Sequence, residues 1–186
     1  MKLTQLLERL KYEVVQGDDQ IEVTELINDS RKVTEGSVFV CISGAVSDGH
    51  AYVQQVAEKG AAAVIVEKDV EAPEGLTVIK VENTRYALAL TSAAYFGYPA
   101  EKLKVIGITG TKGKTTTTYM VKSILEEVGI KVGLIGTIEA IIGDKSIPAN
   151  NTTPESYTIQ KYFSEMVEEG CECCLLYTSP SPRDCS

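Results

Sequence analysis

The run Gly107-Ile108-Thr109-Gly110-Thr111-Lys112-Gly113-Lys114-Thr115-Thr116 concentrates more potential chemistry than any other stretch of this 186-residue sequence. Glycine at 110 and 113 frees the backbone to point successive N–H groups into one concavity. A helix starting near Lys114 adds its unbonded N–H groups and the positive end of its dipole at the same place. An anion is then gripped without any basic surface. Lys114 is long enough to reach the β and γ phosphates of a nucleotide, and the Thr115 hydroxyl suits the Mg²⁺ that accompanies them. The common phosphate-loop pattern has a further glycine where this chain has Ile108, so the stretch is the shorter Gly-Thr-x-Gly-Lys-Thr form. Threonines capping an ordinary helix start are the plain alternative.

Such a loop works only between a strand and a helix. Val105-Ile106-Gly107-Ile108 reads as the strand, and Met120, Val121, Ile124, Leu125 and Val128 recur at helical spacing, predicting one apolar face that stops at Gly129. A strand over 132–135 follows, and together these predict a βαβ unit. Upstream, from Glu22 to about Pro99, short apolar runs alternate with helical patterns in the manner of an α/β layer structure. Residues 37–42 and 61–66 read as buried strands, with Val53, Val56 and Ala57 on a helix between them. Leu76 to Val81 supplies another strand, and Asn83 is placed to cap a helix that begins at Thr84 and ends before Pro99. The stop at Gly97-Tyr98-Pro99 and the fresh strand after it predict two domains, residues 1–100 and 101–174.

Composition narrows the classes. Eighteen basic against 26 acidic residues give a net charge of −8, which argues against a nucleic-acid partner. No apolar run approaches the ~20 residues that span a bilayer, and Leu3, Leu6, Leu7 and Leu10 open the chain at helical spacing, so the chain reads as cytoplasmic and not membrane-inserted. Cys171-Glu172-Cys173-Cys174 has no second cysteine pair beside it and His50 is the only histidine, which disfavours a cysteine metal centre.

The loop of residues 110–116 resembles that of the Mur ligases, Gly-Thr-Asn-Gly-Lys-Thr-Thr, with Lys112 in place of Asn. Asp29-Ser30-Arg31-Lys32-Val33, Gly36-Ser37-Val38-Phe39-Val40, Asp48-Gly49-His50 and Gly60-Ala61 resemble, in order, the amino-terminal domain of the branch that adds the third peptide residue. Gly133-Leu134-Ile135-Gly136-Thr137 and Asn151-Thr152-Thr153-Pro154-Glu155 continue the pattern, which covers about residues 1–174.

The resemblance implies an α/β UDP-sugar-binding domain followed by the start of a central ATPase domain. It also implies an amide-forming reaction in which ATP, with Mg²⁺, activates the carboxylate of a UDP-N-acetylmuramoyl dipeptide for attack by a free amino acid. Gly110, Thr111, Lys112, Gly113, Lys114, Thr115 and Thr116 would hold the nucleotide and Thr115 the metal. Ser30 and the loop Ala45-Val46-Ser47 would contact the UDP-sugar, and Asn151, Thr152 and Thr153 the muramoyl-peptide end. Each has a plainer reading. Asp29-Ser30-Arg31 also suits a self-bonded turn, Thr153-Pro154-Glu155 a helix start with proline at its first position, and His50 a cap or a packed side chain.

Past Cys174 the family pattern calls for a buried strand ending in Glu-x-Ser-Ser, with a magnesium-binding carboxylate. The sequence instead reads Leu175-Leu176-Tyr177-Thr178-Ser179-Pro180-Ser181-Pro182-Arg183-Asp184-Cys185-Ser186, which resembles translated sequencing adaptor. Residues 175–186 are therefore expected to be a non-native tail and the polypeptide an inactive amino-terminal part of a ligase. A folylpolyglutamate synthase-like ligase and a non-catalytic nucleotide- or UDP-sugar-binding module remain open. The choice of amino acid, whether diaminopimelate, lysine or another, would lie in the missing part.

Overall fold

Apolar runs bounded by glycine and polar residues form the strands of two sheets in this computed structural model, which describes residues 1–44, 47–149 and 154–177. The chain divides into two compact units between Tyr95 and Phe96.

In the first unit, strands β1 (Glu13–Gln16), β2 (Leu26–Ile27), β3 (Val38–Val40), β4 (Ala63–Val66) and β5 (Thr77–Lys80) lie in the order β1-β5-β4-β3-β2. Strands β2 to β5 run parallel, and β1 pairs antiparallel with β5. β3 and β4 are buried along their whole length, which is why they read as unbroken apolar runs, Val-Phe-Val and Ala-Val-Ile-Val. Phe39, Val64, Val66 and Val78 pack on Val53 and Val56 of helix α2 (Val53–Glu58). The opposite face carries α1 (Leu3–Leu7) and α3 (Thr84–Tyr95), whose inward residues include Leu3, Leu6, Leu7, Ala87 and Leu88. Asn83 caps α3 as its sequence position predicts, accepting the Tyr86 N–H at 2.8 Å.

In the second unit, the sheet order is β6-β10-β7-β8-β9, with β6 at Lys104–Gly107, β7 at Val132–Ile135, β8 at Glu139–Ile142, β9 at Lys145–Pro148 and β10 at Cys173–Leu176. β10 lies between β6 and β7 and parallel to both, so the predicted βαβ unit is a crossover that spans an intervening strand. Helix α4 (Lys114–Glu127) packs Val121 and Leu125 against Val132, Cys173 and Leu175. Helix α5 (Ser156–Glu168) packs Phe163 and Met166 against Ile135, Ile142 and Cys174 on the other face. Cys171, Cys173 and Cys174 are thus core residues, and burial pushes the Cys174 thiol up to about 12.

Three expectations need correction. The five apolar residues of α4 and its C-cap do not share one covered face: Met120, Ile124 and Val128 are 63%, 65% and 70% exposed, because the sheet meets the helix along Val121 and Leu125. Leu175 and Leu176 are no tail, since the ladders to β6 and β7 hold them in a central strand, and Tyr177 behind them is 2% exposed. Pro154 stands before Glu155, the N-cap of α5, and not in the first helical turn. The prolines at 180 and 182 lie outside the described residues. Among the described residues no helix is long and apolar enough to cross a membrane.

Candidate functional site

The turn between β6 and α4 has the backbone its glycines predict. Gly110 takes φ 154° and Gly113 φ 78°, and Gly113 is the N-cap of α4 without any capping side chain. The N–H groups of residues 109–116 donate to no backbone carbonyl among the described residues, whereas Ile108 N–H bonds to Leu176 and Thr117 N–H to Gly113. A row of free donors therefore meets the positive end of a 14-residue helix, the arrangement that binds phosphate. Lys114 folds back over the turn, its ammonium donating to the Gly110 carbonyl. Lys112 is exposed, Thr115 is partly buried, and Thr118 is buried with its hydroxyl on the Lys114 carbonyl at 2.7 Å.

Beside this loop, at the carboxyl ends of β10 and β7, the ring of Tyr177 lies against Gly136 and its hydroxyl is buried without a partner among the described residues. Glu139 accepts hydrogen bonds from Ser146 and Tyr119, which lower its carboxyl pKa in that order, while the bond to Glu139 pushes the Tyr119 phenol up to about 12. Nucleotide phosphates fit the loop. A Mg²⁺ on them fits less well: the loop offers threonine hydroxyls, Glu139 is already engaged, and no three of His, Cys, Asp and Glu gather for a metal among the described residues.

The first unit collects a second group of polar side chains where its parallel strands end, the edge at which open α/β sheets bind ligands. Ser30 follows β2 and its carbonyl accepts the Lys59 ammonium at 2.7 Å. The preceding Asp29 is bonded by Arg31 through its backbone N–H at 3.1 Å and its guanidinium at 2.8 and 2.9 Å, which lowers the carboxyl to about 2. The self-bonded turn is therefore real, and Ser30 within it is half-buried.

Ser47 is exposed, and its carbonyl accepts the Gly44 N–H at 2.9 Å. Next to it, Asp48 is bonded by Lys68 and His50, in that order of strength, which holds its carboxyl well below the usual range. His50 does pack and bond, with a side chain only 6% exposed. Ala45, Val46, Asn151, Thr152 and Thr153 lie outside the described residues. A cavity of about 140 Å³ lined by Ile135, Gly136, Ala149, Pro154, Glu155 and Tyr162 borders the segment that contains the last three.

No motif in the sequence marks Ser43, Glu67 or Lys68, and Thr84 reads there only as a helix start. Glu67 accepts Thr84 N–H at 2.9 Å, Thr84 hydroxyl at 2.8 Å and Ser43 hydroxyl at 2.9 Å, which lowers its pKa. The available signal was position: Glu67-Lys68 directly follows the buried run Val64-Ile65-Val66.

A family model described as Mur ligase family, catalytic domain, matches residues 22–122, and one described as Mur ligase middle domain matches residues 108–181. The UDP-N-acetylmuramoyl-L-alanyl-D-glutamate--2,6-diaminopimelate ligase of Clostridium perfringens is 48% identical over 179 residues, which are 96% of this chain and 37% of that protein. Among solved structures, a MurF from Acinetobacter baumannii is 25% identical with a TM-score of 0.61, covering 95% of this chain and 35% of its own. A structure of a UDP-N-acetylmuramoyl-L-alanyl-D-glutamate--2,6-diaminopimelate ligase shares the fold at TM-score 0.73 and 18% identity, covering 96% of this chain and 36% of its own. The chain thus spans little more than a third of the length of the proteins it matches.

Proposed function

Since this chain belongs to the Mur ligase family, we propose that it forms the substrate-binding and phosphate-binding part of a cytoplasmic ATP-dependent ligase. The ligase adds an amino acid, 2,6-diaminopimelate by the name of its relatives, to UDP-N-acetylmuramoyl-L-alanyl-D-glutamate. The observation that carries this reading is the row of unbonded N–H groups over residues 109–116 at the start of α4, in a chain 48% identical to such a ligase.

In that reaction the D-glutamyl carboxylate attacks the γ phosphorus of ATP, the bond to the bridging oxygen breaks, and ADP leaves. The amine then attacks the acyl carbon, phosphate departs with the former carboxylate oxygen, and the amine loses a proton. The contribution of this chain is to bind and stabilise charge. The amides of residues 109–116 and Lys114 take up charge on the transferring phosphoryl group, and Lys112 adds a second positive charge nearby. Thr115 is the proposed protein oxygen on a Mg²⁺, which would neutralise phosphate charge; its carboxylate ligand would have to come from outside the described residues. Ser30 and the loop at residues 45–47 are proposed to hold the UDP-sugar, and residues 151–153 the muramoyl-peptide.

That no free carboxylate stands beside the loop among the described residues favours a second statement about the polypeptide itself: it binds nucleotide without turning over. Calorimetric titration with ADP and with UDP-N-acetylmuramoyl dipeptide, together with phosphate release in the presence of ATP and diaminopimelate, tests both. Binding without release is expected. Absence of ADP binding would overturn the phosphate-loop reading, and turnover would overturn the inactive one.

A further inference from the structure

Three donors converge on the Asp48 carboxylate. Its Oδ1 accepts the His50 N–H at 3.1 Å and His50 Nδ1–H at 2.6 Å, and its Oδ2 accepts Lys68 Nζ at 2.8 Å. The other ring nitrogen of His50, Nε2, accepts the backbone N–H of Glu67 at 3.1 Å. Because Nε2 accepts, the proton of the neutral ring sits on Nδ1 and is donated to Asp48. Glu67 is itself tied to Thr84 at the start of α3 and to Ser43. His50 thereby connects the residue after Ser47 to the carboxyl end of β4 and, through Glu67, to α3.

The same stretch closes on itself. Ser43 and Asp48 form an antiparallel bridge, Gly44 N–H donates to the Ser47 carbonyl and Gly49 N–H to the Ile42 carbonyl, each at 2.9 Å. Ser43-Gly44 and Ser47 are thus the two sides of a stem, and Asp48 is the knot that closes it. A carboxylate engaged by three donors, one of them on a side chain 6% exposed, is more than a surface turn requires.

We propose that Asp48 and His50 are positioning residues for UDP-sugar binding. They hold Ser47 and the Ser43-Gly44 stem in the geometry that meets the ligand, without touching it. The proposal rests on the reading of this loop as the UDP-sugar contact.

The test uses the full chain and its His50→Ala, His50→Asn and Asp48→Asn variants, titrated with UDP-N-acetylmuramic acid and separately with ADP. Amide hydrogen exchange at Gly44 and Gly49 is followed in parallel. His50→Ala and Asp48→Asn are expected to weaken UDP-N-acetylmuramic acid at least tenfold, with ADP affinity kept within twofold and exchange at Gly44 accelerated. His50→Asn keeps a donor where Nδ1 stood and is expected to recover most of that affinity, which a purely structural role would not produce. UDP-N-acetylmuramic acid affinity within twofold of wild type in a folded His50→Ala, or no recovery with folded His50→Asn, overturns the proposal. If the unaltered chain binds ADP but not UDP-N-acetylmuramic acid, the UDP-sugar reading fails on its own. Gly44 exchange then decides the positioning role, accelerated exchange in His50→Ala supporting it and unchanged exchange refuting it.

Discussion

Gly113 and Gly129 stand at opposite ends of α4 with nearly the same backbone, φ 78° and 84°, and an added Cβ would meet nothing within 4 Å at either. Alanine at each therefore carries the same penalty, the left-handed backbone alone, about 1–2 kcal/mol. Where that penalty appears should differ. At Gly129 it falls on the folded state, offset by about 0.4–1 kcal/mol from a stiffer unfolded chain, so a small loss of stability is expected and no change in ADP affinity. At Gly113 the neighbouring N–H groups have no backbone acceptor, so the empty loop can relax and the strain returns only when phosphate draws those groups together. The expected result is an ADP Kd raised roughly 5–30-fold with a nearly unchanged melting temperature. Isothermal titration with ADP and thermal melts of Gly113→Ala and Gly129→Ala measure both quantities. Equal loss of ADP affinity in the two variants, or Gly113→Ala within twofold of the unaltered chain, would refute the assignment of Gly113 to the phosphate grip.

Three further outcomes are expected. Lys68 and His50 hold the Asp48 carboxyl below its ordinary value of 3.8, so its stabilisation is complete above about pH 4 and is lost as pH falls through the depressed folded value; Asp48→Asn should flatten the acid side of a urea-midpoint profile, and parallel profiles would count against the network. The Tyr177 hydroxyl is buried without a partner among the described residues, a condition that costs about 1–3 kcal/mol, so Tyr177→Phe should raise the unfolding midpoint, whereas a lower midpoint would count against an unpaired hydroxyl. Burial pushes the thiols of Cys41 and Cys174 up to about 12, so mass spectrometry after iodoacetamide at mildly alkaline pH should find both unlabelled in the native chain and labelled in urea.

The elements that could be read from the sequence are those whose cause is local. The strand over 132–135 has the bounds expected of it, because Gly129 ends the helix before it and Gly136 closes it. Asn83 caps α3 through an oxygen only three residues from the N–H it accepts. What escaped the sequence depends on neighbours far along the chain. Leu175 and Leu176 look like the start of a polar tail beside Pro180 and Pro182, yet their place is set by β6 and β7, about 70 and 40 residues earlier. The apolar stripe of α4 was visible as spacing, but spacing does not reveal that the sheet covers Val121 and Leu125 and leaves Met120, Ile124 and Val128 exposed.

The two candidate sites divide along the same line. The phosphate loop is made from consecutive residues whose glycines, lysine and threonines each have a local reason to be there, so chemistry and position were legible together. At net charge −8 the chain repels anions at long range, and the grip must therefore be short-range, as free amides and Lys114 folded over the turn provide. The network around Asp48 has members at 43, 48, 50, 67, 68 and 84, and no window of sequence contains them. They meet because β3, β4 and β5 run parallel side by side and end at one edge. Parallel pairing thus converts separation along the chain into adjacency at the carboxyl ends. That is why Glu67 and Thr84, unremarkable as letters, hold the chain of bonds on which the loop before His50 depends.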